Sequence, residues 1–545
     1  MFHPTRAPFR AHGAALVSLA TLSLLGLSTA QSGGAPADGF RLFGGFGQTD
    51  TYLVDTQGQV VQTWPSTFAP GAGVHLLEDG TLLRSIRLGV GGGAGAGGGV
   101  QHVALDGTVL WDYRYSTPTR LAHHDLEPMP NGNVLLIAWT DLTPAEAIAA
   151  GRDPSRIPDQ VFRPDHLVEI EPTGPTSGRI VWEWHVWDHL IQDFDPTKDN
   201  YGVVGDHPEL IDVNHGEASG DWTHFNGVDY DPVHDWIAIS CPGFDEVWII
   251  DHSTTTAEAA GHTGGRHGRG GDLLYRWGNP AAYRRGTAAD QQLYFQHDTN
   301  FIPPGYPGAG NLTVFNNRSP GGSSVFELVL PIDANGHFVQ PGNGAFGPAG
   351  PVWSYSALGF GSAVMSSAER LPNGNTLICS AGESRVFEVT PSGQKVWEHS
   401  LGGVFIFHAH FVKNRLWADR AEISVAAGGR AQFDLIAGSE HAGRVYALAG
   451  SASGTGPGAW IGGVHLPLNV DAWTEYTLAV DPFPYAGNLG VLDGLGRGVA
   501  TFDLPAGVLP PSAVGLELDH AFVVFDPATG GFVQASEARR LTLRR

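Results

Sequence analysis

Six times along the chain a hydrophobic stretch closes on a tryptophan: Trp64 (VVQTW), Trp111 (TVLW), Trp182 (RIVW), Trp277 (LLYRW), Trp353 (GPVW) and Trp397 (QKVW). Each follows a short turn such as Asp106-Gly107 or Ser392-Gly393. The intervals are irregular, so the repeated unit carries loops of different lengths. Strand-rich repeats of about 40–50 residues are the mark of β-propeller blades, which cannot bury their faces alone and close into a ring. The spacing predicts an all-β six-bladed propeller, with five and seven blades also compatible. A ring of this kind brings one loop from each blade to a common axis, so residues remote in sequence meet there.

The clearest repeat pair is MPNGNVLLIAW (Met129–Trp139) and LPNGNTLICSA (Leu371–Ala381). Each has a Pro-Asn-Gly-Asn turn, an apolar run, a second run with an acidic residue (HLVEIEPTG, RVFEVTPSG) and then the tryptophan strand. This reads as strand, turn, strand, loop, strand, turn, strand. The first blade is short, and VFIFHAHFVKN (404–414) is expected to return and complete it, closing the ring like a clasp. Gly89–Gly99 reads as a flexible loop, and 188–221 as a cover loop between the third and fourth blades. From about Ala421 the Pro-Asn-Gly-Asn copies stop, and alternating stretches such as AEISVAAGGRAQFDLIAG and TEYTLAVDP predict a separate C-terminal β-sandwich over 421–545. The predicted propeller spans 40–417.

Residues 1–30 read as a secretory signal: Arg6 and Arg10, an apolar run from Ala14 to Leu27, then Ser28-Thr29-Ala30. No stretch is long and apolar enough for a membrane span, and the expected location is periplasmic or extracellular. Both cysteines, Cys241 and Cys379, sit in strand contexts and read as buried thiols. The formal net charge of −24 repels polyphosphates and argues against a nucleic-acid partner. It also means that any anion site must be locally positive or rich in hydrogen-bond donors.

Several of the 24 histidines stand at the entry to a strand pair. They are His123 and His124 (HHDLEPMPNGN), His224 (DWTHFNGVDYD), His297 (FQHDTNFIPPG), and His408 and His410 (VFIFHAHF). Loops entering innermost strands face the axis, so these imidazoles should converge. Three readings compete: backbone-bonding structural groups, a metal site, and nucleophilic and acid–base catalysis on an anionic group. His408/His410 is the only HxH pair, and no metal and no cofactor are expected.

DWTHFN, LLYRWGNP, QHDTNFIPPGYPGAGNLTVFNN and HHDLEPMPNGN, in their order, resemble the bacterial arylsulfotransferase family over about Phe40 to Trp417. The resemblance implies transfer of a sulfuryl group from an aryl sulfate to a phenol without a nucleotide donor. Its implied nucleophile is His297, through a sulfohistidine. His224 and Asn226 are implied to bind the sulfuryl oxygens, and His124 to hold or protonate the phenolic oxygen, with His123 and Thr223 as further substrate-binding residues. One departure stands out. The family usually carries an arginine on the strand after the HxN motif, where this chain reads ISCPGFDEVW. Arg276, Arg285 and Arg318 are candidate substitutes. A non-catalytic secreted propeller that binds a ligand, or a hydrolase on the same scaffold, are the alternatives.

Overall fold

The computed structural model describes residues 34–90, 93–339 and 342–545; the predicted leader over 1–30 lies outside them. Every tryptophan of the repeat falls in the last strand of a four-stranded antiparallel sheet, and among the described residues six sheets end in this way. The first strands of the second to sixth sheets are Pro70–Leu76, Arg120–Pro128, Gly227–Asp231, His297–Phe301 and Ser367–Arg370. Consecutive members of this series pack side by side, so the arrangement is propeller-like, with short inner strands around an axis. His410–Val412 supplies the inner strand of the first sheet, pairing antiparallel to Phe40–Gly44 with Phe40 opposite Val412. The expected clasp is therefore present.

Five of the six tryptophans tie their sheet to the next. Trp111 donates its indole N–H to Ser177 O, Trp182 to Thr254 Oγ1, Trp277 to Pro348 O and Trp353 to Pro391 O. Trp397 closes the circle on Thr56 O of the first sheet. Between the first and second sheets Gln62 makes this bond instead, reaching Leu105 O at 2.7 Å. The Pro-Asn-Gly-Asn turns recur for a similar reason. Asn131 and Asn133 donate to Glu169 Oε1, and Asn375 donates to Glu388 Oε1, so the acid of the third strand satisfies the turn of the first hairpin. Glu388 also holds Arg41 of the clasp in a fully buried pair.

The C-terminal residues form two larger sheets around a shared core that includes Phe433, Leu448, Phe502, Phe522 and Leu541, with a two-stranded hairpin, Ala459–Ile461 and Val464–Leu466, besides. One sheet begins at Leu416–Ala418, ahead of the predicted boundary. Trp417 of that strand turns away from the core just described and packs with Val74, Leu82 and Val103 of the second sheet. Arg415 grips Asp38 and the Ala437 carbonyl, which joins the two parts further. In place of the predicted strand TEYTLAVDP, a short helix, Ala472–Thr477, takes its first four residues and a turn follows. Asp471 and Thr474 form a capping box there, a local start signal that outweighs the alternating pattern. Among the described residues no helix is long and apolar enough to cross a membrane. Both cysteines are buried free thiols.

Candidate active site

Where the inner strands of the third and fifth sheets enter the axis, their ladders are broken. Pairing is interrupted between Ala122 and Leu126, and again between His297 and Thr299. His124 (φ 47°), His224 (φ 53°) and Asp298 (φ 57°) sit in the left-handed region that non-glycine residues seldom adopt. Such a residue costs about 1–2 kcal/mol. In return, neighbours in sequence both point inward instead of alternating: His124 and His297 face one cavity, and Asp125 and Asp298 face the axis behind it.

The cavity, about 190 Å³, is lined by His124, His224 and His297 together with Phe295, Phe407 and Met365. The ring centroids of His124 and His224 are 4.8 Å apart. Phe407 bridges His124 and His297 at 5.6 and 5.7 Å. The walls are otherwise mostly apolar, and they suit a phenyl ring. His224 and Phe295 also border an outer cleft of about 740 Å³, walled by residues 214–217 of the predicted cover loop and by Arg156, Arg284 and Arg318.

Each imidazole has its own partner. His297 Nδ1 lies 2.9 Å from Asn317 Oδ1. Asn317 spends its amide hydrogens on the Ser362 and Met365 carbonyls, so its oxygen faces the ring and His297 must carry its proton on Nδ1. Burial lowers the His297 pKa to about 3, against the Asn317 bond. The ring is neutral, and Nε2 keeps its lone pair. His224 differs: Asp221 Oδ2 stands 2.6 Å from its Nδ1. Burial lowers its pKa, but Asp221 outweighs burial and the net shift is upward. His224 is thus the member of the three whose cation is favoured.

His124 begins a buried chain. Its Nδ1 is 2.7 Å from His123 Nδ1, and His123 Nε2 is 2.6 Å from Asp165 Oδ1. Asp165 Oδ2 accepts from Thr223 Oγ1 and from the Phe225 N–H. Burial holds both imidazoles well below their usual pKa and raises Asp165 well above the carboxylate range. The chain therefore favours its uncharged form. A proton on Asp165 faces His123 Nε2, His123 Nδ1–H donates to His124, and His124 Nε2–H points to the cavity.

Behind the cavity His408 lies between two carboxylates, Nε2 at 3.1 Å from Asp298 Oδ1 and Nδ1 at 3.7 Å from Asp125 Oδ1. Burial opposes its charge, but Asp125, Asp298 and Glu369 overcome it and raise its pKa to about 9. The imidazolium joins the two bulges that carry His124 and His297.

A family model, "Arylsulfotransferase (ASST)", matches residues 37–401. The chain belongs to the arylsulfotransferase family. No curated protein matches the chain. Solved structures resembling it include a protein of unknown function from Bacteroides caccae, with 12% identity, TM-score 0.38 and coverage of 69% of this chain and 100% of that one. The Pseudomonas aeruginosa periplasmic gluconolactonase has 12% identity, TM-score 0.36 and coverage of 69% and 99%. Virginiamycin B lyase from Staphylococcus aureus has 12% identity, TM-score 0.28 and coverage of 67% and 77%.

Set against the arylsulfotransferase expectations, the structure brings His124, His224 and His297 together and places the other three residues behind them. His123 is stacked on Trp139 at 4.0 Å, and Thr223 is spent on Asp165. Asn226 is fully buried and donates to Gln296 O. His123, Thr223 and Asn226 are not among the residues lining the cavity, so they support the wall from behind. After the HxN motif the chain carries no arginine where the family has one: it reads Ser240-Cys241-Pro242-Gly243, and at Gly243 a Cβ would lie 2.1 Å from Trp222 O. Of the substitutes, Arg276 is buried against Glu246, and Arg285 grips the Gly205 and Gly342 carbonyls. Arg318 alone of the three borders the cleft, over the Phe295 ring at 3.7 Å. Sequence reasoning missed Arg87 on the cavity wall, Asn317, and the Asp125–His408–Asp298 grouping. The asparagine pair in VFNN was the available signal for Asn317.

Ala94 and Gly95 of the glycine-rich stretch form part of the cavity wall. Gly95 (φ +81°) is so close that a Cβ would stand 2.0 Å from His124 Cε1, and its carbonyl accepts the His124 N–H at 2.8 Å. Gly95→Ala is expected to displace the ring and lower aryl-sulfate turnover about 100-fold, the scale of a 1 Å misplacement. The circular dichroism spectrum should be unchanged. Wild-type turnover in that variant would contradict the placement of His124.

Proposed function

We propose that this protein transfers a sulfuryl group from an aryl sulfate to a phenol through a sulfohistidine on His297, without a cofactor. The observation that carries the reading is the convergence of three imidazoles with different partners on one apolar cavity. The His297 Nε2 lone pair attacks sulfur, and the S–O(aryl) bond breaks with its electron pair on the phenolic oxygen. His124 Nε2–H protonates that oxygen. His124 Nδ1 then takes the His123 proton and His123 Nε2 takes the proton from Asp165. The carboxylate so formed is held by Thr223 Oγ1–H and Phe225 N–H. The His224 cation faces the sulfuryl oxygens, where negative charge must be bound. An acceptor phenol runs the sequence backwards: it gives its proton to His124, attacks sulfur and returns the electron pair to Nε2.

In this reading the six sheets are the blades of a six-bladed propeller, and 421–545 is an accessory β-sandwich. The leader motif in 1–30 directs export to the periplasm or beyond. The test is release of 4-nitrophenol from 4-nitrophenyl sulfate by purified protein. Release that depends on an added phenol is expected, whereas release without an acceptor would point to a hydrolase. The absence of an arginine in ISCPGFDEVW favours a second reading, a propeller that binds aryl sulfates without turnover. Absence of release over a broad donor panel would select it. The pH profile adds a sign. His297 is neutral above about 3, so kcat/KM should hold across the mildly acidic range. It should fall as pH rises through the elevated pKa of His224. A rate that rises steadily into the alkaline range would contradict a cationic His224.

A further inference from the structure

Away from the axis, two excursions of the chain meet at a second group of ligating side chains. His189 opens the long loop after the third sheet, and His262 and Asp272 belong to the glycine-rich excursion before Tyr275–Trp277. Asp272 Oδ1 lies 2.9 Å from His189 Nδ1 and 2.7 Å from His262 Nδ1. The outer nitrogen of His189 is already committed: Nε2 stands 2.8 Å from the Ala259 carbonyl. A carbonyl can only accept, so the proton of a neutral His189 is on Nε2 and the Nδ1 lone pair faces a carboxylate oxygen. Two lone pairs aimed at each other repel unless a proton or a metal ion lies between them, and one ion there would serve both His189 and His262, whose Nδ1 atoms face the same Asp272 oxygen.

This is the arrangement seen in metal sites, where the ring N–H remote from the ion is bonded to a backbone carbonyl that fixes the tautomer. The pocket holds that ring firmly. Trp184 is stacked on His189 at 5.5 Å and donates its own N–H to Gly271 O. Gly271 is obligatory there, since a Cβ would stand 2.6 Å from His189 Nε2. His189 and Asp272 are buried, while His262 is exposed, which leaves one side of the group open to water.

We propose that His189, His262 and Asp272 bind a divalent transition-metal cation of the zinc class, with water completing a tetrahedral site. Two imidazoles and one carboxylate form a borderline donor set that suits zinc or cobalt rather than calcium or magnesium, which take oxygen ligands. The Asp125–His408–Asp298 group is of another kind. Each nitrogen of His408 faces a different carboxylate, which suits a protonated ring. The bound cation joins the cover loop to the fourth sheet. The Ile211 N–H donates to the His189 carbonyl, and the same loop runs on to the wall of the cleft at 214–217.

The test is metal stoichiometry of untagged, full-length protein that has been stripped with a chelator, exposed to zinc or cobalt and gel-filtered. The wild type should retain one zinc per chain and show a visible cobalt absorption band of tetrahedral intensity, with no retention of magnesium. His262→Ala, at an exposed position, should keep the wild-type circular dichroism spectrum and lose the band and the retained ion. Asp272→Asn should weaken retention at least tenfold. No retained zinc in the wild type, or retention unchanged in His262→Ala, would overturn the site. Because the readout is bound metal, failure here leaves the sulfuryl-transfer reading untouched.

Discussion

Replacing His297 with alanine is expected to lower aryl-sulfate turnover on the order of 10⁴-fold or more while the protein stays folded. Nucleophile deletions in covalent mechanisms remove the step itself, and neighbouring groups do not compensate. His297 is buried, yet its ring contacts are to Phe295 and Phe407, so its loss opens a small space beside the cavity rather than breaking an ion pair. Asn317→Leu should follow in the same direction with a smaller effect, because the ring survives but its tautomer is no longer imposed. Release of nitrophenol by His297→Ala at a wild-type rate would remove this residue from the chemistry. Direct transfer assisted by His124 and His224 would then have to replace the covalent route.

His408→Leu carries the largest expected effect on stability. Removing the ring leaves Asp125 and Asp298 buried without their counter-charge, and breaking a buried pair in this way costs about 3–5 kcal/mol. The pH dependence has a definite sign. The pKa of His408 is raised to about 9 in the folded protein, from an ordinary value of 6.5. The native state therefore holds its proton more tightly than the unfolded chain. The stabilisation is fully present below 6.5 and is lost as pH rises through 9. The groups that face the ring are Asp125, Asp298 and Glu369, with His75 and His410 beyond them. Chemical denaturation across that interval should show wild-type stability falling with pH and a flatter profile in His408→Leu. Equal stability of the two proteins at neutral pH would contradict the clamp. Activity should fall as well, since His408 holds together the bulges bearing His124 and His297.

Much of this was legible in the sequence. The tryptophans announced the repeat because five of the six perform the same local task, an indole N–H hooked over the next sheet, so the residue recurs where the geometry recurs. The Pro-Asn-Gly-Asn copies were visible for the same reason. His124, His224 and His297 could be placed on one cavity because they stand at equivalent entries to inner strands. What stayed hidden depends on contacts without a motif. Asn317 acts through the direction in which its amide is turned, and Arg87 reaches the wall from another sheet. Gly95 looked like linker because glycine tracts usually are, whereas here the missing Cβ is what admits the His124 ring. The strand expected over TEYTLAVDP (474–482) failed at its start to a capping box spanning Asp471–Thr474, a signal weaker than alternation on paper but sufficient in place.

The central claim is covalent capture of the sulfuryl group by one imidazole, and mass spectrometry of the acid-quenched protein tests it most directly. Protein mixed with 4-nitrophenyl sulfate without an acceptor should gain the mass of a single sulfuryl group, mapped to the peptide containing Gln296-His297-Asp298. The adduct should disappear when phenol is added. An adduct that maps elsewhere, that persists in His297→Ala, or that never forms while product is released would contradict the account.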